Sequence, residues 1–292
     1  MTDRSDGKMR SGYVAVAGLV NSGKSALVNA LTGRRICPSH EHGGITRIPV
    51  TSIFMDEDRQ ICVIDTPPLE TSMDCIPEGS VDAFCLVLNS NELSQQLESP
   101  YVLEFIRNNR GTPIIFVPAF IDHFPASLHG ALANQVSMSV NYQEIVPVCP
   151  LSGQGVSTLR QAISSYVPRR GRLFPDGTIS LHSERFLVSE QIRFSLYCTL
   201  PPEIASTTAV QIEEFSIRDQ KRYVRTNLYV ARHSSKGVVI GKKGSMLQHI
   251  ARIASESASR IIERPLYLDL WVKVREAWPE NHNDLVEFGY IC

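Results

Sequence analysis

The sequence lacks the features that are typical of membrane proteins, secreted proteins and proteins stabilised by a zinc site. In 292 residues no apolar run approaches the roughly 18 residues of a membrane-spanning helix, so we expect no such helix. The seven cysteines are scattered and include no Cys-x-x-Cys pair, which argues against a disulfide framework or a zinc site and favours a cytoplasmic protein with reduced thiols. Residues 1–13 contain acidic side chains and no apolar centre, so they match neither a secretory signal nor a typical transit peptide.

The chain also lacks a strong net charge, but its small total of −1 conceals a difference between its halves. Residues 1–168 carry 11 Lys and Arg against 16 Asp and Glu, whereas residues 169–292 carry 18 against 14. A basic second half is typical of a module that faces nucleic acid, although two differently solvated surfaces are the simpler explanation of a difference of this size. The length and the 43% hydrophobic content predict two globular domains.

Two patterns of secondary structure divide the chain. In the first half, short apolar runs alternate with helical patterns, which predicts βαβ units and a largely parallel sheet. The segment VPRRGRLFPDGTISLHS is rich in Pro, Gly and Arg and is interpreted as a linker. Beyond it we predict an amphipathic helix capped by Ser183, two paired strands, a helix–loop–helix and a last strand. The predicted domains are 1–168 and 183–292, with 169–182 between them.

A phosphate-binding loop is the most specific feature of the first half. Residues 18–25 match G-x-x-x-x-G-K-[ST] between a predicted strand and a predicted helix, so a chance match on a glycine-rich turn is the weaker explanation. Backbone N–H groups of such a loop point at phosphate oxygens. Lys24 is expected to reach the β- and γ-phosphates and Ser25 to ligate Mg²⁺. The residues expected to contact nucleotide here are Gly18, Asn21, Ser22, Gly23, Lys24, Ser25 and Ala26.

A second metal ligand is expected at the end of a neighbouring strand. The apolar run QICVID ends in Asp65, which can hold Mg²⁺ through water. An Asp at a strand end is often only a turn residue, but the Thr66-Pro67 that follows favours the metal-binding interpretation. The sequence therefore predicts a Mg²⁺–nucleoside triphosphate site.

At this point the chain resembles a known family, the Era GTPases, from about Gly12 to its end. The segments that carry the resemblance are GLVNSGKSALVNAL, VIDTPP, SERFLVSEQIR, VQIEEF, KGVVIGKKG and LYLDLWVKVREAW, in that order. The resemblance implies an α/β P-loop G domain, with a mostly parallel sheet and helices on both faces. It also implies an α+β type II KH domain after it. The implied ligands are GTP or GDP with Mg²⁺.

The resemblance assigns further roles by position. Asn21 matches an Asn that helps hold a catalytic K⁺ in related G proteins, and Thr46 matches the switch I threonine that caps Mg²⁺. With Lys24 these are the expected catalytic residues, and Ser25, Thr46 and Asp65 are the expected metal ligands. Leu69 occupies the position of a water-orienting Gln in other GTPases, and Era proteins also carry an apolar residue there.

The sequence departs from the family at both ends of the expected nucleotide. Pro68 replaces the Gly that offers its N–H to the γ-phosphate, and proline has no N–H. At the base, the family's Asn-Lys-x-Asp becomes Ala119, Phe120 and Asp122, and Pro150 replaces an amide that faces guanine O6. Asp122 remains as a guanine acceptor and Phe120 offers a stacking face, unless Phe120 packs inward and Asp122 caps a turn. We expect weak guanine nucleotide binding and slow or absent hydrolysis.

The second half contains a Gly-x-x-Gly loop between two predicted helices, as in KH domains, where it lets the RNA backbone approach closely. The expected RNA-binding residues are Lys236, Val239, Ile240, Gly241, Lys242, Lys243 and Gly244, with Val239 and Ile240 lining an apolar groove floor. The stripe LYLDLWVKV is expected to belong to the sheet core, so Trp271 receives no RNA-binding role.

The leading hypothesis is an Era-like protein, a slow P-loop GTP hydrolase that acts in assembly of the 30S ribosomal subunit. The resemblance implies the 3′ end of small-subunit ribosomal RNA as partner, a monomer, and peripheral association with the inner membrane for an otherwise cytoplasmic protein. One alternative is a pseudo-GTPase that serves as an RNA chaperone or assembly placeholder without turnover. Another is a broad NTPase that uses Phe120 as a stacking platform.

Overall fold

The computed structural model describes residues 9–40, 44–71, 76, 79–124, 127, 130–131, 134–135, 144–218 and 221–291. The chain forms two compact units. The first comprises residues 1–37 and 46–181, and the second comprises residues 38–45 and 182–292. This division differs from the predicted one at two places, because residues 169–181 belong to the first unit and residues 38–45 to the second.

The first unit contains a six-stranded sheet within its described residues, in the order β2-β3-β1-β4-β5-β6. Its strands are β1 (Arg10–Ala17), β2 (Val50–Asp56), β3 (Arg59–Asp65), β4 (Ala83–Asn89), β5 (Ile114–Ala119) and β6 (Glu144–Ile145). Only β2 pairs antiparallel to its neighbour, and the other pairings are parallel. The central strands β4 and β5 are apolar and buried along nearly their whole length, as strands covered on both faces must be. The predicted α/β G domain is confirmed.

Among the residues of the first unit that the structure describes are the helices α1 (Lys24–Thr32), α2 (Leu93–Leu97), α3 (Pro100–Asn108) and α4 (Val156–Tyr166). Helix α1 ends at Thr32, because Gly33 adopts the left-handed conformation that closes many helices. It buries Leu27, Val28 and Leu31, which are spaced to lie on one helical face. No helix in the described part of the chain combines the length and apolar character needed to cross a membrane.

The segment predicted as a linker packs on the first unit instead of spanning a gap. Gln60 of β3 accepts hydrogen bonds from the amides of Leu173 and Phe174 at 2.9 and 2.8 Å. Its side-chain amide donates to the carbonyl of Phe174 at 2.8 Å. The amide of Ile53 donates to the carbonyl of Ile179 at 2.9 Å. A segment rich in Pro and Gly has few backbone partners of its own, so a buried glutamine supplies them.

The second unit is a three-stranded sheet, in its described part, covered by helices. Its elements are α5 (Glu184–Thr199), α6 (Pro202–Ala205), β7 (Thr208–Arg218), β8 (Lys221–Val230), α7 (His233–Ile240), α8 (Ser245–Ile262), β9 (Leu266–Val274) and α9 (His282–Glu287). Strands β7 and β8 are antiparallel, whereas β8 and β9 are parallel. Ser183 caps α5 as predicted, because its hydroxyl accepts from the amide of Phe186. This order is that of the expected type II KH domain.

The core of the second unit includes a residue from far away in the sequence. Ile45 is buried in the apolar cluster that contains Val188 and Ile192 of α5. The buried guanidinium of Arg193 donates to the carbonyl of Ile45 and to Glu190, the latter at 2.7 Å. Because a buried cation is costly without partners, Arg193 needs both acceptors, and the bond to the Ile45 carbonyl holds Ile45 against α5.

The last strand has one face in the core and one in solvent. Leu268 is buried and Leu270 packs against the same cluster, whereas Tyr267 and Trp271 point to the other face. Trp271 is 54% exposed, so the prediction that it belongs to the sheet core is wrong. The strand alternates with period two, and the large side chains at odd positions therefore face away from the helices.

Candidate functional site

The phosphate-binding loop connects β1 to α1, as its sequence motif predicts. Gly18 has φ 154°, and a Cβ on it would lie 2.4 Å from the carbonyl oxygen of Val87, so only glycine fits there. Asn21 is held in the left-handed conformation at φ 59°. The loop leads directly into the N-terminus of α1, where the helix dipole favours an anion.

Lys24 is placed inside this loop. Its side chain is buried, and its ammonium donates to the carbonyl oxygens of Gly18 and Leu19 at 3.0 and 2.7 Å. A buried ammonium held on loop carbonyls stands next to the amides that would receive phosphate oxygens. Lys24 thus lies inside the loop, and its binding of phosphate stays a prediction.

The three expected metal ligands converge although they come from three segments. The hydroxyl of Ser25 donates to Asp65 Oδ2 at 2.7 Å, and that of Thr46 donates to the same atom at 3.0 Å. The two hydroxyl oxygens are 3.1 Å apart. Within the described residues the other carboxylate oxygen, Asp65 Oδ1, is buried without a hydrogen bond.

This cluster suits a small divalent cation. Burial raises the pKa of Asp65 to about 6, against the opposing effects of the Ser25 hydrogen bond and the Lys24 charge. A buried carboxylate with an unsatisfied oxygen gains a partner when it faces a cation. Hydroxyl and carboxylate oxygens are the ligands that Mg²⁺ prefers. The residues present therefore fit the metal that the sequence predicts.

The turn after Asp65 packs on the phosphate-binding loop. The amide of Leu69 donates to the carbonyl of Gly18 at 3.2 Å. The amide of Val20 in the loop donates to both carboxylate oxygens of Glu70, at 3.0 and 3.1 Å. Pro68, which precedes them, has no N–H to offer a terminal phosphate.

The segments that would face a base also lie together at the carboxyl ends of β5 and β6. The amide of Ile121 donates to the carbonyl of Val148 at 3.4 Å, which places residues 119–122 beside 148–150. Phe120 adopts φ 62°, and its ring would lie 3.0 Å from a Cβ on Gly23 of the phosphate-binding loop. Its ring also stacks on that of His123 at 6.2 Å.

These contacts distinguish the two interpretations that the sequence left open for this segment. Phe120 is half-buried against the phosphate-binding loop, so it does not pack into the interior as a core residue would. Asp122 is exposed in the single turn of 3₁₀ helix that follows. Ala119 is fully buried and contributes no polar group. The Phe120 ring thus lies beside the loop and Asp122 is exposed, and their contact with a base stays a prediction.

The Gly-x-x-Gly loop of the second unit joins α7 to α8, as predicted. Gly241 has φ 71°, and a Cβ on it would lie 2.8 Å from the amide nitrogen of Met246, so a side chain is excluded. Lys242 and Lys243 are exposed at the tip of the loop. Gly244 completes the turn with open space around it. Two positive charges therefore project from a backbone that another chain can approach closely.

One predicted groove residue is placed elsewhere. Val239 is fully buried in the core of the second unit, so the expectation that it lines the open groove floor needs correction. Its neighbour Val238 is 41% exposed, and Ile240 and Lys236 are partly exposed. Adjacent helical positions differ by about 100°, so the sequence run VVI could not show which valine faced outward.

Two family descriptions match parts of the chain. Residues 13–118 match the family described as 50S ribosome-binding GTPase, and residues 203–279 match the KH domain. GTPase Era of Trichlorobacter lovleyi is 31% identical over 98% of this chain and 99% of its own length. The chain belongs to the Era GTPase family. GTPase Era of Staphylococcus epidermidis is 29% identical over 97% of both chains.

Two solved Era structures have the same fold. One is a variant of Aquifex aeolicus Era bound to GDP and AlF₄⁻, with TM-score 0.89 and 28% identity over 97% of this chain and all of that one. The other is Era in complex with MgGDPNP and nucleotides 1506–1542 of 16S ribosomal RNA, with TM-score 0.88 and the same identity and coverage. The Era architecture, a G domain followed by a KH domain, is therefore the architecture of this chain.

Two residues near the candidate sites, one in each unit, have contacts or an orientation that sequence patterns do not indicate. Glu70 contacts the phosphate-binding loop through a tertiary hydrogen bond, and only its acidic character two positions after Pro68 hints at a role. Val238 can be distinguished from the buried Val239 as the exposed valine only once the orientation of α7 is known.

Proposed function

We propose that this Era-family protein binds a guanine nucleotide with Mg²⁺ in its first unit. The observation behind the proposal is the arrangement of four side chains at the phosphate-binding loop, Lys24, Ser25, Thr46 and Asp65. An ammonium, two hydroxyls and a carboxylate beside backbone amides are the groups that bind phosphate and Mg²⁺. Relatives crystallised with GDP and AlF₄⁻ and with MgGDPNP support it.

Mg²⁺ would be held by Ser25 and Thr46 directly and by Asp65, and it would neutralise charge on the phosphates. Lys24 would bind the β- and γ-phosphate oxygens from inside the loop. Asn21 is proposed to help hold K⁺, as the family resemblance implies. With Leu69 in place of a polar residue, no side chain at that position can orient water, so we propose slow turnover.

Discrimination at the base is proposed to be weak. Ala119 and Pro150 remove two groups that would hydrogen-bond guanine, each on the order of 1–3 kcal/mol for a buried polar edge. Phe120 supplies a stacking face, which any purine can use, and Asp122 supplies one acceptor. The ratio of GDP to ADP affinity is then small compared with that of a protein that retains the Asn, Lys and Asp of the base-reading segment and the amide that faces guanine O6.

We further propose that the second unit binds single-stranded ribosomal RNA near the 3′ end of the small-subunit molecule, and that the protein acts in 30S subunit assembly as a monomer. The exposed Lys242 and Lys243 on a glycine-flanked turn support the binding. The Era complex with a 16S ribosomal RNA fragment supports the choice of RNA. Cytoplasmic location and peripheral contact with the inner membrane remain expectations from the family resemblance.

Titration of labelled GDP and ADP, each with Mg²⁺, tests the nucleotide site. We expect measurable binding of both that is lost in Lys24→Ala, with GDP favoured by a small factor only. Lys221→Gln, which removes an exposed charge in the second unit, is the matched control and should leave both affinities unchanged. Submicromolar binding of GDP with no detectable ADP binding would contradict the weak-discrimination proposal.

A second candidate, a pseudo-GTPase that binds RNA without turnover, is favoured by the missing N–H at Pro68 and the apolar Leu69. A hydrolysis assay with K⁺ and small ribosomal subunits separates the two. Turnover that disappears in Lys24→Ala supports the enzyme. RNA binding without turnover in the unmodified protein supports the pseudo-GTPase.

A further inference from the structure

The carboxylate of Glu70 lies on the phosphate-binding loop. The single amide of Val20 donates to both of its oxygens, at 3.0 and 3.1 Å. Amides of this loop are the groups that receive phosphate oxygens in P-loop proteins. An anionic side chain of the protein is therefore bound to an amide of this loop, at Val20, between Gly18 and Asn21, which are expected to contact nucleotide.

The backbone around Glu70 holds it in this place. The amide of Leu69 donates to the carbonyl of Gly18 at 3.2 Å, next to the loop residue that Glu70 contacts. Both the amide and the hydroxyl of Thr71 donate to the carbonyl of Pro68 at 2.9 Å, which closes a turn around Glu70. Glu70 thus reaches the loop from a turn that is anchored on both sides.

The position of this turn identifies the end of the nucleotide that Glu70 would meet. Pro68 stands where Era GTPases offer an N–H to the γ-phosphate, and Glu70 follows two residues later. A terminal phosphate would therefore meet a carboxylate where other family members supply a donor. This contact is exposed, and two unit charges about 4 Å apart still repel each other in water and do so more strongly near a protein surface.

We propose that Glu70 is a specificity-determining residue that disfavours a nucleoside triphosphate relative to the diphosphate. The diphosphate is bound deeper in the loop, by Lys24 and the N-terminus of α1, and leaves Glu70 on Val20. The γ-phosphate of a triphosphate has to displace Glu70 or remain beside it. This inference rests on the proposed nucleotide site and adds a preference for one state of the nucleotide.

Calorimetric titration with Mg²⁺–GDP and with Mg²⁺–GDPNP, a non-hydrolysable triphosphate, tests the proposal. Glu70→Gln keeps the shape and removes the charge, so we expect GDPNP to bind about tenfold tighter while GDP changes by less than about twofold. Glu104→Gln removes the same charge from an exposed position of α3 and should change neither affinity.

The contact itself has a readout that does not depend on nucleotide. In the nucleotide-free protein the NMR amide proton of Val20 should move upfield in Glu70→Ala, because it loses a charged acceptor. An unmoved Val20 resonance, or equal effects of Glu70→Gln on GDP and GDPNP, would overturn the proposal while leaving the nucleotide site intact. If the unmodified protein binds neither nucleotide, the proposed function fails and this inference fails with it.

Discussion

At the scale of single residues, two glycines of the second unit have opposite roles although only four positions separate them. Gly237 lies inside α7 with open space around it, so a methyl group there meets nothing. Gly241 has φ 71° and would place a Cβ 2.8 Å from a backbone nitrogen. The first glycine costs helix stability, whereas the second is required by the turn.

We predict that Gly241→Ala destabilises the second unit by at least about 2 kcal/mol, from the left-handed conformation and the steric overlap. Gly237→Ala, its matched control, should stabilise the same unit by about 0.5–1 kcal/mol. Both tryptophans of the chain, Trp271 and Trp278, lie in the second unit, so their fluorescence during denaturation by urea reports on that unit. Equal effects of the two substitutions would contradict this account.

Phe120 is the second residue whose role the structure sharpens. Because its ring lies against Gly23 of the phosphate-binding loop, it is placed to stack on a bound purine. Phe120→Ala should weaken GDP and ADP binding to a similar extent, by about tenfold, since a base–aromatic stack contributes roughly 1–3 kcal/mol. Tyr101→Ala, which removes an exposed aromatic ring from α3, should have no effect in the same titrations. Loss of GDP binding alone would show that Phe120 reads guanine specifically.

At the scale of elements, the Gly-x-x-Gly loop between α7 and α8 presents a positively charged surface. The turn exposes Lys242 and Lys243 together, while the helices on either side are anchored in the core by Val239 and Ile250. The charges are thus fixed to a rigid element. A phosphate backbone that approaches the glycines meets both lysines at once.

The double substitution Lys242→Gln and Lys243→Gln should therefore weaken binding of single-stranded RNA and reduce its dependence on salt. Each phosphate contact contributes about 0.7 to the slope of log affinity against log salt, so the slope should fall by about 1.4. Lys221→Gln is the control, because Lys221 begins β8, whereas the turn comes after α7, which follows the other end of that strand. An unchanged slope in the double variant would place the RNA elsewhere.

At the scale of the whole molecule, the two compact units are not two continuous stretches of sequence. Residues 38–45 belong to the unit formed by residues 182–292, and Thr46, a proposed metal ligand, comes directly after them in the chain. Ile45 is buried among the apolar side chains of α5 and its neighbours. The stability of the second unit therefore depends on a residue more than a hundred positions away.

Ile45→Ala should lower the free energy of unfolding of the second unit, which Trp271 and Trp278 report, by about 2–5 kcal/mol. This is the usual cost of removing a buried aliphatic side chain. Ile36→Ala removes an equally buried side chain from the first unit and should change that transition by less than half as much. Denaturation by urea followed through tryptophan fluorescence measures both. A larger effect of Ile36→Ala would contradict the assignment of residues 38–45 to the second unit.

The sequence by itself determined most helices and strands and the two glycine-containing loops, because these depend on interactions between residues close together in the chain. Gly18, Gly33 and Gly241 each stand at a turn whose conformation requires glycine, and Ser183 caps the helix that it precedes. Short apolar runs marked the strands of the first unit, and the phosphate-binding loop and the Gly-x-x-Gly loop follow directly from spacing. The resemblance to the Era family then supplied the order of the domains, which the fold confirms.

Only the tertiary structure decided which faces and distant segments meet. It buried Val239 and exposed Trp271, because the orientation of a helix or strand follows from what it packs against. It attached residues 169–181 to Gln60 and Ile45 to Arg193, and it placed Glu70 on Val20. These contacts join groups that lie far apart in the sequence, and no local periodicity records a hydrogen bond between them.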